Sequence, residues 1–144
     1  MLLNDFDTTG PDSGWSLQTT TSCSGDVILG GYDTIAGGTI TNLVSIPWGH
    51  TQARVVTEYW FVDSWDGETG WIDIDGSNLW YQVRTTGGSG TSDICGATWT
   101  EETTLIDGII SHSGSTLYYS AGSNLDQAAT DESWAIDDVQ IWVR

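Results

Sequence analysis

Residues 53–62, ARVVTEYWFV, alternate in a way that an extended strand uses and a helix does not. Ala53, Val55, Thr57, Tyr59 and Phe61 fall on one face, and Arg54, Val56, Glu58, Trp60 and Val62 on the other. Both faces are half apolar, which suits a central strand. The same period continues from Trp71 to Asp75, with Ile72 and Ile74 inward and Asp73 and Asp75 outward. Asp75-Gly76 is a turn signal, and 78–84 (NLWYQVR) runs back from it as a hairpin. Further strands are expected over 15–20, 26–32, 38–46, 103–111, 115–121 and 134–143, with a flexible loop over 85–93 (TTGGSGTSD). Only 125–130 has some helical character, and it is too short to matter. Short strands at this spacing predict an all-β antiparallel sandwich or barrel. At 144 residues the chain has room for one domain.

The last strand breaks its own parity. Trp134 and Ile136 share one parity, Val139, Ile141 and Val143 the other. A β-bulge at Asp137-Asp138 would return both sets to one face, and bulges often sit beside sites.

Nine Trp, five Tyr and two Phe supply core material. The charge is lopsided: three Arg and no Lys stand against fifteen Asp and five Glu, for a net charge of -17. Phosphate backbones and anionic membranes would be repelled, so nucleic-acid binding is excluded. No apolar run is long enough to cross a membrane. The opening Met-Leu-Leu-Asn-Asp lacks the features of a signal peptide, so either a signal has been removed or the protein is not secreted, and the chain reads as a mature form or a domain cut from something longer. Cys23 and Cys95 are the only cysteines and belong to no CxxC pattern. A disulfide between them is favoured over two buried thiols, and it implies an oxidising compartment.

Two ends of the chain resemble the galactose-binding-like jelly rolls, which include many carbohydrate-binding modules. Asn4-Asp5-Phe6-Asp7 with Gly14-Trp15-Ser16 resembles their opening strand, although Asp7 stands where a Glu is usual. Trp134-Ala135-Ile136-Asp137-Asp138-Val139 resembles their closing strand. The middle, from His50 through Asp63-Ser64-Trp65-Asp66-Gly67-Glu68 and Asp75-Gly76, is similar to uncharacterised extracellular domains of ciliates and other protists. That similarity continues through Cys95-Gly96, His112-Ser113, Leu125-Asp126-Gln127 and Glu132-Ser133-Trp134. The resemblance implies a single jelly-roll domain over 1–144 at the cell surface, and it supplies no activity.

Three acidic groups are candidate calcium sites. Asp63, Asp66 and Glu68 follow a strand, with Gly67 allowing a tight turn. Like charges so close repel unless a cation sits among them, and calcium takes its six to eight oxygens from flexible acidic loops. Asp126, Asp131 and Glu132 precede the last strand, and in a jelly roll the two loops would meet as one site. The third group is Asp5 or Asp7 with Asp137 or Asp138, where related jelly rolls hold a structural calcium between the first and last strands. For every group the alternative is a solvated or capped turn.

Trp48, Trp71, Trp80 and Trp99 lie near turns or on faces shared with polar residues. Sugars stack on flat aromatic rings, so these are candidate glycan contacts; the alternatives are core packing and subunit anchors. Asp73 and Asp75 on one strand face only faintly suggest a glycosidase, since nothing marks a cleft. His50 and His112 have no nucleophile motif beside them. The resulting expectation is a non-catalytic, extracellular, calcium-binding module for glycan binding or adhesion, its partner a glycan or another cell-surface protein. The alternative is a self-assembling subunit of a surface layer, appendage or filament, with calcium and the disulfide only stabilising it.

Overall fold

The computed structural model describes residues 2–85 and 95–144, and every regular element in them is a strand. In chain order these are β1 (Leu2–Asn4), β2 (Thr20–Cys23), β3 (Asp26–Gly30), β4 (Gly38–Ser45), β5 (Gln52–Asp63), β6 (Asp66–Ile74), β7 (Ser77–Thr85), β8 (Glu102–Ser111), β9 (Thr116–Ser123) and β10 (Glu132–Val143). They form two antiparallel sheets packed face to face. One runs β2-β3-β10-β5-β8, with β1 also on β10; the other runs β4-β9-β6-β7. The chain is a jelly-roll β-sandwich.

β5 is central, as its two half-apolar faces require. It lies between β10 and β8. Val55, Tyr59 and Phe61 enter the core between the sheets, and Tyr59 stacks on Trp134 at 5.3 Å. The Tyr59 hydroxyl donates to the Gly122 carbonyl of the facing sheet at 3.0 Å, and the hydroxyls of Thr57 and Tyr119 meet at 3.1 Å. These bonds satisfy polar atoms that burial would otherwise penalise. Burial also pushes both phenol pKa values up. Gly70 is required here, because a Cβ would come within 2.7 Å of the Tyr59 ring. The other face of β5 is divided. Trp60 and Val62 join a smaller cluster with Cys23, Ile28 and Ala135, while Arg54 lies open to solvent.

Cys23 and Cys95 are bonded. The disulfide lies on that smaller cluster and ties 95–101 to the outside of the larger sheet.

The expected bulge is present. Between Asp137 and Gln140 the β5–β10 register slips, and Asp138 has φ 50°. Trp134, Ile136, Val139 and Ile141 therefore all reach one core. On its other side β10 pairs with β3 at Ala135 and Ile136 and with β1 from Val139 to Ile141, so the bulge marks the change of partner.

Three expectations need correction. Residues 15–20 are not a strand: Trp15 makes only an isolated bridge to Asn42, and β2 begins at Thr20. The local cause is competition from side chains, with Asp12 accepting from the Gly14 amide at 2.8 Å and Gln18 folding back onto the Trp15 carbonyl at 2.8 Å. Second, 125–130 forms no helix; amides 131 and 132 both return to the Ala128 carbonyl in a tight turn. Third, Asp66 and Glu68 are on β6 and not in a loop, because the link from β5 is only Ser64 and Trp65. Beyond Thr85, the loop expected over 85–93 lies outside the described residues.

The disulfide spans 72 positions, so chain entropy predicts that replacing both Cys23 and Cys95 by Ser costs about 4 kcal/mol. Denaturant unfolding of the double variant should match that of the reduced parent chain and fall well below the oxidised one.

Candidate functional site

The outer face of the four-stranded sheet carries two adjacent rows of side chains set by the strand pairing. Strand pairing brings Gly122, Trp71 and Tyr81 into one row across β9, β6 and β7. The row beside it holds Thr41, Ser120, Asp73 and Asn78. A Cβ on Gly122 would come within 2.5 Å of the Trp71 ring, so the glycine lets the indole lie flat over β9. Tyr81 is 66% exposed. Asn78 donates to Asp73 at 2.9 Å, which fixes an amide and a carboxylate beside the rings. Asp73 is the one charged side chain in these two rows, on a chain with 20 acids.

The register here could not be counted from the turn. Asp75-Gly76 aligns Ile74 with Ser77 and Asp73 with Asn78, which would set Trp71 against Trp80. One extra residue in β7 shifts the pairing, so Trp71 faces Tyr81 and Trp80 turns inward to 5.2 Å from the Tyr59 ring. Of the four candidate Trp residues, Trp71 alone lies on this face. Trp99 is partly buried in the segment tied down by Cys95. Trp48 is 79% exposed on the β4–β5 loop. That loop is separated from the start of β10 by the whole of β5, about 36 Å at 3.3 Å per residue.

The acids regroup. Glu68, Asp126 and Glu132 place a carboxylate oxygen each within 4.8 Å of one another, drawing on both predicted clusters. Glu132 is fully buried and accepts from the amides of Asp126 at 3.1 Å and Gln127 at 2.6 Å. Burial pushes its pKa up, as does the repulsion of Glu68 and Asp126, against the pull of those amides. Burial also raises Glu68, which accepts from the Asp66 amide at 2.8 Å. The other members of these clusters stand outside the group. Asp63 is buried and receives the Ala97 amide at 2.9 Å; Asp131 accepts from the Ser64 hydroxyl at 3.2 Å; Asp66 accepts from the Gln127 side-chain Nε2 at 3.4 Å.

At the bulge, Glu58 joins Asp137 and Asp138, again with oxygens within 4.8 Å. Sequence reasoning missed Glu58, although its parity on β5 places it outward. Asp7 and Asp5 lie close enough to raise Asp138, after burial as the larger cause. Asp7 also receives the Val27 amide at 2.7 Å. Burial, then repulsion by Asp138, Asp7 and Glu58, pushes Asp137 up to about 8.

His50 and His112 are stacked at 5.1 Å at the opposite end of the sandwich. His50 Nδ1 is 2.6 Å from the Pro47 carbonyl, and its Nε2 is 2.8 Å from His112 Nδ1. His112 Nε2 faces the Thr116 carbonyl at 3.1 Å and Asp75 at 3.3 Å. Every ring nitrogen thus serves loop closure. Asp75 also receives the Tyr118 amide at 2.8 Å, so it and Asp73, the two carboxylates weighed as a glycosidase pair, are both held in local hydrogen bonds.

No family model matches the chain, and no curated protein matches it in sequence. Solved structures match the fold. A carbohydrate-binding module, CBM36, in complex with calcium and xylotriose superposes with TM-score 0.54 at 9% identity, over 99% of this chain and all of that one. The CBM22-1 xylan-binding domain from Paenibacillus barcinonensis gives 0.51 at 13% identity, over 99% and 92%. A cleaved adhesin domain of Lys-gingipain from Porphyromonas gingivalis gives 0.56 at 10% identity, over 99% and 98%.

In metal-free buffer, Asp137 should keep its proton in the folded chain up to about pH 8, whereas the unfolded chain loses it near pH 4. The folded state then binds more protons between these values. The stability this provides is complete below about pH 4 and is lost as pH rises through about 8. Denaturant midpoints should therefore fall between pH 5 and pH 9 in chelator, and Asp137→Asn should flatten that fall.

Proposed function

We propose that this chain is a non-catalytic glycan-binding module that works outside the cell and takes up calcium. The observation that carries the reading is the Trp71 face. A flat indole and an exposed phenol offer stacking area, and the hydrogen-bonded Asp73 and Asn78 with Thr41 and Ser120 beside them offer polar contacts. A surface that avoids charge on so acidic a chain suits a neutral polyhydroxyl ligand. The fold supports the reading, since its structural neighbours include carbohydrate-binding modules, one of them a calcium complex. The disulfide is consistent with an extracellular setting, as is the resemblance of the DSWDGE and ESW stretches to extracellular protist domains. The catalytic reading finds no support in the histidines or in Asp73 and Asp75, all engaged in local hydrogen bonds.

A self-assembling structural subunit is the second reading. Its support is the outer row of the larger sheet, where Trp142, Arg54 and Ile109 align, and where Ile109 and nearby Leu105 are 65% and 67% exposed. Sedimentation in calcium separates the two: a glycan module stays monomeric, whereas a subunit grows with concentration.

Trp71→Ala should weaken binding to neutral polysaccharide at least tenfold in affinity electrophoresis while leaving the melting temperature within a few degrees. Trp48→Ala should leave binding unchanged. Equal retention of the parent chain and Trp71→Ala would remove the sheet face from the proposal.

A further inference from the structure

We propose that Glu68, Asp126 and Glu132 form a site for one calcium ion that fastens the beginning of β6 to the beginning of β10. This deepens the calcium half of the function proposed above and rests on it.

The geometry comes first. The three oxygens lie within 4.8 Å of one another. Two ligands of a common calcium ion, each at 2.3–2.6 Å, stand at most about 5 Å apart. The three carboxylates can therefore share one ion with little movement of either strand.

A second observation points to a ligand independently of the clustering. Glu132 is fully buried, and its Oε1 takes both backbone amides. Its Oε2 is buried with no hydrogen-bond partner among the described residues. Leaving a buried carboxylate oxygen unpaired is costly unless something positive faces it. Among the described residues no side-chain cation is in place to do so. The chain has no Lys, and of its three Arg, Arg54 pairs with Asp107, Arg84 with Glu102, and Arg144 lies beyond the far end of β10. The bulge group offers a contrast: none of its carboxylate oxygens is both buried and without a partner.

The donor set also selects the ion. All three ligands are carboxylate oxygens, both cysteines are bonded to each other, and both histidines close the opposite end. Hard oxygen donors favour calcium over zinc or copper. Asp126 is exposed, which leaves one side open for water to complete the six to eight positions that calcium takes.

The test is calcium titration calorimetry with parallel thermal melts, on the chain, on Glu132→Gln and on Asp138→Asn. At a hundredfold excess over Kd the parent midpoint should rise by about 5–10 °C. Glu132→Gln should weaken binding at this site at least tenfold and lose most of that rise. In chelator it should melt no lower than the parent, because an amide relieves the unpaired buried charge. That combination separates loss of a ligand from damage to the fold. Asp138→Asn should retain the Glu132-dependent binding. If Glu132→Gln fails to fold, exposed Asp126→Asn replaces it, with the same expected loss of affinity. The proposal is overturned if the parent chain takes up no calcium at millimolar concentration, or if the folded variant binds it with parent affinity and stoichiometry. No sugar enters these measurements, so a chain that binds glycan but fails them refutes the ion site and leaves the glycan reading standing.

Discussion

The antiparallel pairing of β5 with β10 runs from Glu132 opposite Asp63 to Val143 opposite Ala53, and most other features are attached to it. It carries the Tyr59–Trp134 stack at the centre of the core. It seats Trp65, whose indole donates to the Ser133 carbonyl at 3.0 Å and so draws the β5–β6 link against the start of β10. It also fixes both acidic groups. One forms where β10 begins, and the other where its bulge opens the ladder between β3 and β1.

Charge is the second constraint. Twenty acids and three Arg cannot neutralise one another. The pairs at Arg54 and Arg84 leave the two carboxylate groups without a protein counter-ion among the described residues. Burial and mutual repulsion raise Asp137, Glu68 and Glu132, and a proton or a cation on such a group would relieve that repulsion. The acids are not evenly spread. The face bearing Trp71 and the exposed Tyr81 ring carries Asp73 alone as a charge in its two central rows.

The fold was legible in the sequence because period-two alternation over 53–62, the Asp75-Gly76 turn and the broken parity of the last strand all report backbone geometry directly. The strand expected at 15–20 was not, because Asp12 and Gln18 divert the chain through side-chain bonds that alternation does not register. The site was only partly legible. The jelly-roll reading gave the expectation that the acids after β5 and those before β10 would meet. It did not show that Asp63 turns to the Ala97 amide, or that Glu58 comes across from β5 to the bulge. Tyr81 was hidden by the extra residue in β7, a shift of one position that exchanges it with Trp80.

Chemical-shift mapping of the isotopically labelled chain, titrated with xylotriose and other neutral oligosaccharides in calcium, tests the central claim most directly. The account predicts saturable shifts at the amides of Thr69 to Asp73, Tyr81 to Val83 and Ser120 to Gly122. Shifts confined to the Trp48 loop or to the outer face of the larger sheet, or none with any neutral glycan, would contradict it.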